Sequence, residues 1–141
     1  MKDKIMRIPV ILIVVFGLLL GLTGCTTEKS IEKEVRRKKP IAELTAKELY
    51  EAYSTNAKAS DRLYKGKIVV VSGNIKNVNK EFNGGSSVMM DANSNGSGVV
   101  CYFAPEHEKK LKEISLREEV TIRGKCEGCD VSVTLRGCIL E

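Results

Sequence analysis

Hydrophobic and polar positions divide this chain of 141 residues into three parts. Residues 8–22 are apolar apart from Pro9 and two glycines, residues 26–40 are polar and end at a proline, and the remainder alternates in short runs. A membrane-spanning helix needs about 20 apolar residues, so the first run is short for one. The pattern predicts an N-terminal leader, a tether and one small domain.

The leader has the parts of an export signal. Lys2, Lys4 and Arg7 give the apolar run a positively charged start, as in secretory signal peptides. Residues 22–25 are LTGC, which resembles the lipobox of bacterial lipoproteins. The resemblance implies cleavage before Cys25, a thioether-linked diacylglyceryl group on that cysteine, and an acylated or free new N-terminus. The alternative is a signal anchor that stays uncleaved.

A lipidated Cys25 predicts where the protein works. Two or three acyl chains hold a protein stably on a bilayer, whereas one chain does so only marginally. We therefore expect a signal peptide over residues 1–24, a polar tether over 25–40 and a domain over 41–141. The chain would be anchored to the cell membrane on its extracytoplasmic side, and the covalent lipid is the only cofactor expected.

The domain begins with a helix that has a well-marked start. Thr45 and Glu48 are spaced as in a capping box, and Leu44 and Leu49 are spaced as in a hydrophobic staple. One face of the helix then carries Leu49, Ala52, Tyr53 and Asn56. Apolar residues at this spacing indicate core packing.

Five strands are predicted after this helix. Alternation and turn residues place them at 65–78, 87–92, 99–103, 119–126 and 130–140. Gly66 and Gly73 are positions for a bulge or bend in the long first strand. Asn83-Gly84-Gly85, residues 93–98 and Glu127-Gly128 are the predicted turns. Pro105 begins a short helix through Ile114, between the third and fourth strands.

This order of elements predicts a mainly β protein, a five-stranded OB-fold barrel with an N-terminal helix. The segments GKIVVVSGNI, VVCYF, EEVTIRGKC and VSVTLRGCIL resemble the tRNA-anticodon-like OB-fold domains of small bacterial lipoproteins, over residues 43–141. The resemblance implies the fold and assigns no reaction.

The net charge of +5 raises the question of nucleic-acid binding. The excess of basic side chains lies in residues 1–24 and 25–39, whereas residues 40–141 have as many acidic as basic side chains. Residues 36–39, Arg-Arg-Lys-Lys, are interpreted as a solvated linker end. The alternative is attraction to anionic headgroups or cell-wall polymer.

OB-folds that bind single strands use aromatic side chains as stacking platforms. If Val99, Cys101 and Phe103 point inward, only Tyr102 faces outward from the third strand. We therefore expect a non-catalytic binding or structural module, whose partner is a protein or an envelope polysaccharide. Binding of single-stranded nucleic acid or oligosaccharide is the alternative.

Catalytic residues are hard to find in this sequence. His107 is the only histidine and is expected to be exposed on a charged helix, so general acid-base chemistry would fall to carboxylates. The carboxylates are scattered, and a hydrolase would need a pair clustered by the fold. Asp91 to Gly96 matches the first half of a calcium loop. Tyr102 stands where that loop needs a glutamate, so a hairpin turn is predicted there.

Four cysteines remain, Cys101, Cys126, Cys129 and Cys138. A redox CxxC needs its first cysteine at a helix N-terminus, whereas Cys126-Glu-Gly-Cys129 falls at the predicted turn. A Cys₄ zinc site usually has two close pairs, and only one is present, so no metal site is predicted. An exported chain with an even count favours disulfides.

Three connectivities are open for these disulfides. The third and fifth strands of an OB barrel run parallel and adjacent, which favours Cys101–Cys138, with Cys126–Cys129 as a small ring. Cys126 and Cys138 lie at opposite ends of the last predicted hairpin, about 20 Å apart, beyond disulfide reach. A bulge at Arg136-Gly137 is needed to turn Cys138 inward.

Overall fold

A computed structural model describes residues 27–141, so the predictions for the signal peptide and for Cys25 lie outside the described residues. Five strands form a closed barrel: β2 (Ile68–Lys80), β3 (Ser86–Asp91), β4 (Gly98–Phe103), β5 (Glu119–Cys129) and β6 (Val133–Leu140). The pairs β2–β3, β3–β4, β5–β6 and β2–β5 are antiparallel, and β4–β6 is parallel. The predicted OB-fold class is confirmed.

Residues 27–141 also contain four helices and one additional strand. They are α1 (Glu28–Arg37), β1 (Ala42–Thr45), α2 (Ala46–Thr55), α3 (Ala57–Tyr64) and α4 (Glu108–Lys112), the last preceded by a 3₁₀ turn at Pro105–His107. No helix within residues 27–141 is both long and apolar enough to cross a bilayer.

The predicted capping box at the start of α2 is confirmed. The Thr45 hydroxyl accepts a hydrogen bond from the Glu48 amide at 3.1 Å, and the Glu48 carboxylate accepts one from the Thr45 amide at 2.8 Å. Leu49 and Tyr53 are buried in the barrel core. Helix α2 therefore covers one end of the barrel through the face that its spacing predicts.

Strand β1 and helix α3 are findings that the sequence did not predict. Strand β1 pairs in parallel with the start of β2, from Ala42 opposite Val69 to Thr45 opposite Ser72. Asn56 ends α2 and caps α3, because its side chain accepts a hydrogen bond from the Ala59 amide at 3.1 Å. A strand of four residues and a helix of eight are too short to show a clear period.

Most of the segment predicted as a polar tether, residues 25–40, forms helix α1, which packs onto the barrel. Ile31 and Val35 are buried in a small cluster with Ile68 and Ile139. Gly137 of β6, at a φ of +60°, allows this approach, since a Cβ atom there would lie 2.6 Å from the α1 backbone. The helix exposes most of its charged side chains, and its two docking positions are too few to give a periodic signal.

Of two predictions for the last hairpin, the turn is wrong and the bulge is confirmed. The predicted turn at Glu127-Gly128 is wrong, because β5 continues to Cys129, which pairs with Val133. The register shifts between Cys126 and Cys129, so Gly128 (φ +94°) lies in a bulge. A second register shift faces Gly137, where the bulge at Arg136-Gly137 was predicted, and Cys138 is fully buried.

Candidate binding surface

The outward side chains of β4 and β6 form one surface with the loop between β2 and β3. Tyr102 lies between the buried residues Cys101 and Phe103, so its predicted outward orientation is confirmed. It is not the one outward residue of this strand, because Val100 is half-exposed between Val99 and Cys101. Thr134 and Arg136 are the corresponding partly exposed residues of β6. We call Tyr102, Thr134 and Arg136 the Tyr102 face.

Arg136 is held over the tyrosine ring by helix α1. Its guanidinium carbon lies 5.5 Å from the centroid of the Tyr102 ring, within the range of a cation–π contact. The Arg136 Nε donates to the Glu28 carboxylate at 2.6 Å, and the other carboxylate oxygen accepts from the Gly137 amide at 2.8 Å. Glu28 is 7% exposed, so the first turn of α1 fixes the orientation of the arginine.

Two open grooves lie beside this face. One, of about 440 Å³, has the Tyr102 face on one side and loop residues on the other, namely Glu81, Phe82 and Asn83. The second, of about 490 Å³, lies between the loop and the N-terminal end of α1 and includes Thr27, Glu28 and Lys29. Phe82 is fully exposed. Sequence reasoning missed it, although a phenylalanine inside a polar turn was a usable signal.

Helix α1 also changes where the excess charge lies. Residues 25–39 have three more basic than acidic side chains, and the docked helix brings this excess onto the folded body. Glu34 pairs with both Lys38 and Lys125, at 2.7 and 3.0 Å. Lys33 and Arg37 are exposed, and no carboxylate of residues 27–141 forms an ion pair with them. The neutral domain predicted from sequence therefore has a helix with exposed basic side chains on it, followed by Lys38 and Lys39.

His107 is half-buried rather than exposed, which corrects the prediction. Its Nε2 lies 3.0 Å from a carboxylate oxygen of Glu32, and its ring meets Phe103 edge-on at a centroid distance of 5.6 Å. Burial raises the pKa of Glu32, but hydrogen bonds from His107 and Arg36 outweigh this and hold the pKa below its ordinary value. The pair fastens α1 to the barrel.

The segment that resembles a calcium loop forms a hairpin turn, as predicted. It joins β3 to β4. The Asn93 side-chain oxygen accepts hydrogen bonds from the amides of Asn95 and Ser97, at 3.0 and 3.2 Å. This is the usual role of asparagine in a turn. Within residues 27–141, no cluster of three or more His, Cys, Asp or Glu side chains is placed to hold a metal ion.

The structure brings Cys101 and Cys138 together in the core. Both are fully buried, and burial, followed by the neighbouring Cys101 thiol, raises the pKa of the Cys138 thiol. Their predicted disulfide stays a prediction, because all four described cysteines are free thiols here.

Cys126 and Cys129 have different surroundings. The Cys126 sulfur is buried 3.6 Å from the Tyr53 hydroxyl, whereas Cys129 is half-buried and donates to the Asp130 carbonyl at 3.6 Å. Burial raises the pKa of both thiols. The small ring between them likewise stays a prediction.

Comparison with known proteins places this architecture in a family. The family described as tRNA_anti-like matches residues 1–139. No match is found among curated proteins. The crystal structure of a "putative nucleic acid-binding lipoprotein" from Klebsiella pneumoniae has a TM-score of 0.58 at 18% identity, over 70% of this chain and 90% of that one. At this identity the likeness shows the fold alone.

Two further solved structures are similar over about half of the chain. An OBody bound to hen egg-white lysozyme has a TM-score of 0.41 at 22% identity, over 51% of this chain and 73% of its own. The Stn1–Ten1 complex of S. pombe has a TM-score of 0.39 at 16% identity, over 52% of this chain and 57% of its own.

Proposed function

The chain belongs to the tRNA_anti-like family, and we propose that it is a lipid-anchored, non-catalytic binding module on the extracytoplasmic side of the cell membrane. Its ligand would lie across the Tyr102 face. The outer surface of the second and third barrel strands, with the adjoining loops, is where OB-folds bind oligonucleotides and oligosaccharides. Here β3 and β4 are those strands, and β6 extends the surface from β4.

The observation that carries this proposal is the Arg136 guanidinium over the ring of Tyr102. A tyrosine that presents one face of its ring and a positioned arginine can hold a planar group or a sugar ring. The Glu28 carboxylate neutralises the arginine, so the face offers little net charge to a polyanion. This arrangement favours an uncharged envelope oligosaccharide or a peptide.

Single-stranded nucleic acid is the second candidate, and one observation favours it. Docked α1 places its basic residues on the folded body. The balance of acidic and basic side chains in residues 40–141 therefore argues less strongly against nucleic-acid binding than the sequence implies. The similar lipoprotein from Klebsiella pneumoniae has nucleic-acid binding in its name. Phe82 would supply a second aromatic ring beside Tyr102.

Salt dependence separates the two candidates. Phosphate contacts release counterions, so oligonucleotide affinity must fall steeply as the salt concentration rises. We expect an uncharged oligosaccharide to bind with little dependence on salt, and a single-stranded oligonucleotide to bind weakly even at low salt. Tight oligonucleotide binding that weakens with salt would overturn the preference for an uncharged ligand.

Two substitutions at Tyr102 test the face itself. Tyr102→Leu removes the ring and keeps an apolar side chain, whereas Tyr102→Phe keeps the ring and serves as the matched control. For a stacked base the loss is about 1–3 kcal/mol, and we expect Tyr102→Leu to weaken binding while Tyr102→Phe does not. Equal affinity of both variants and the wild type would place the ligand elsewhere.

The anchor is supported by the LTGC tetrad after a short apolar run. Cys25→Ser removes the sulfur that would carry the diacylglyceryl group. We expect this variant to lose the processing that wild type undergoes, and so to retain its leader. Identical processing of variant and wild type would contradict lipidation at this position.

A further inference from the structure

Hydrogen bonds close the loop between β2 and β3, which carries one exposed phenylalanine. The Glu81 amide donates to the Gly85 carbonyl at 2.8 Å, and the Gly84 amide donates to the Glu81 carbonyl at 3.1 Å. The Asn83 side chain also accepts from the Gly85 amide at 3.0 Å. These bonds close the turn and leave Phe82 fully exposed. The other described phenylalanine, Phe103, is 1% exposed in the core.

This loop lies beside the point where the chain enters the structure. Asn83 and Gly85 line one groove together with Thr27 and Lys29 at the start of α1. Thr27 is two residues after Cys25, and two residues span at most about 7 Å. Because α1 is docked, no long tether separates the barrel from the site of lipidation.

We propose that Phe82 is a second contact with the membrane, inserted into the bilayer surface beside the lipid on Cys25. This inference rests on the proposed lipidation. Aromatic and apolar side chains enter the boundary between headgroups and acyl chains favourably. The lipid raises the effective concentration of the bilayer at Phe82, so one side chain is enough for a useful contact.

The surrounding charges fit an apolar contact. Lys29 pairs with Glu106 at 3.0 Å, and Arg136 pairs with Glu28. Among the charged residues that line the two grooves, only Glu81 then lacks an ion-pair partner, and its carboxylate accepts from the Ser87 hydroxyl. The end of the barrel near Phe82 therefore has little net charge, and we expect the contact to depend little on salt. With both the lipid and Phe82 in the membrane, the barrel has a fixed orientation.

In that orientation, one end of the barrel lies near the membrane surface and the other end lies farther from it. The β2–β3 loop lies at the end of β4 that carries Phe103, because Ser86 pairs with Phe103. The turn between β5 and β6 lies at the other end, because Val133 pairs with Val99. Val131, in this turn, is 76% exposed and is expected to point away from the membrane.

Tryptophan fluorescence tests the proposal, because the chain contains no tryptophan. The lipidated mature product of a Phe82→Trp variant, which begins at Cys25, is reconstituted into phosphatidylethanolamine–phosphatidylglycerol vesicles with brominated acyl chains. A Val131→Trp variant is the matched control, since both substitutions are made at exposed apolar positions and leave the core untouched. We expect blue-shifted, strongly quenched emission from Phe82→Trp only.

Each outcome has a separate meaning. If both variants sediment with the vesicles and neither is quenched, the anchor holds and the second contact is wrong. If neither variant sediments, the lipid anchor itself fails and this inference fails with it. If the emission of Phe82→Trp responds to a single-stranded oligonucleotide and not to brominated lipid, Phe82 belongs to a nucleic-acid site and the membrane contact is refuted.

Discussion

Replacing Gly137 by alanine tests whether α1 is part of the folded body. Gly137 has a φ of +60°, and an added Cβ atom would lie 2.6 Å from the Glu32 amide nitrogen and 2.7 Å from the Ile31 carbonyl carbon. These are backbone atoms of a helix and cannot move aside alone. The substitution therefore strains β6 or displaces α1.

The size of the effect follows from two contributions. An alanine in the left-handed region costs about 1–2 kcal/mol, and overpacking costs about 1–3 kcal/mol more. If α1 leaves the barrel instead, Ile31 and Val35 lose their burial at roughly 1.5–3 kcal/mol each. We expect the free energy of unfolding to fall by about 2–5 kcal/mol.

Gly66→Ala is the matched control, because Gly66 also has a positive φ, of +76°, and an added Cβ there has no neighbour within 4 Å. It carries the conformational cost without the contact, so the difference between the two variants is about 1–3 kcal/mol. Urea unfolding followed by circular dichroism gives the two free energies, and limited trypsin digestion reports release of the lysine- and arginine-rich α1. Equal destabilisation, with α1 still protected, would refute the close packing described here.

Three further predictions concern the acid limit, the cysteines and the helix cap. The folded pKa of Glu32 is lower than its ordinary value of 4.5, so its ionised form stabilises the fold above pH 4.5, and this stabilisation is lost as the pH falls through the folded pKa. Glu32→Gln should flatten this part of a plot of unfolding free energy against pH. An unchanged curve would contradict the lowered pKa of Glu32. Alkylation of the exported, unreduced protein should leave Cys101, Cys138, Cys126 and Cys129 unlabelled, with a mass four hydrogens below that of the reduced chain for the two predicted disulfides, whereas the full reduced mass would exclude both. Thr45→Ala should cost about 1 kcal/mol of stability through the lost cap, and Thr55→Ala, at the other end of α2, should cost less.

The barrel could be predicted from sequence because each strand, helix start and bulge is marked by residues close to it in the chain. Alternation marks each strand, the pair Thr45 and Glu48 marks a helix start, and the need to turn Cys138 inward marks the bulge at Gly137. Each of these signals lies within a few residues of the feature that it predicts. The turn at Glu127-Gly128 failed for the same reason, because a glycine with positive φ serves a bulge as well as a turn.

The docking of α1 could not be predicted in this way. Glu28 bonds to Arg136 and Gly137, which are 108 and 109 residues away, and no pattern within α1 points to them. The segment is mostly charged and has only two buried apolar residues, Ile31 and Val35. The burial of His107 and the basic side chains on the folded body both follow from this contact, so neither could be predicted from local sequence.

We propose that a lipid at the N-terminus holds the OB-fold and its Tyr102 face at the membrane surface. The intact mass of the protein, extracted by detergent from the membranes of a bacterial host, tests it most directly. We predict a chain that begins at Cys25 and carries a diacylglyceryl group, with or without a further acyl chain. A chain that begins at Met1 with an unmodified Cys25 would contradict the account.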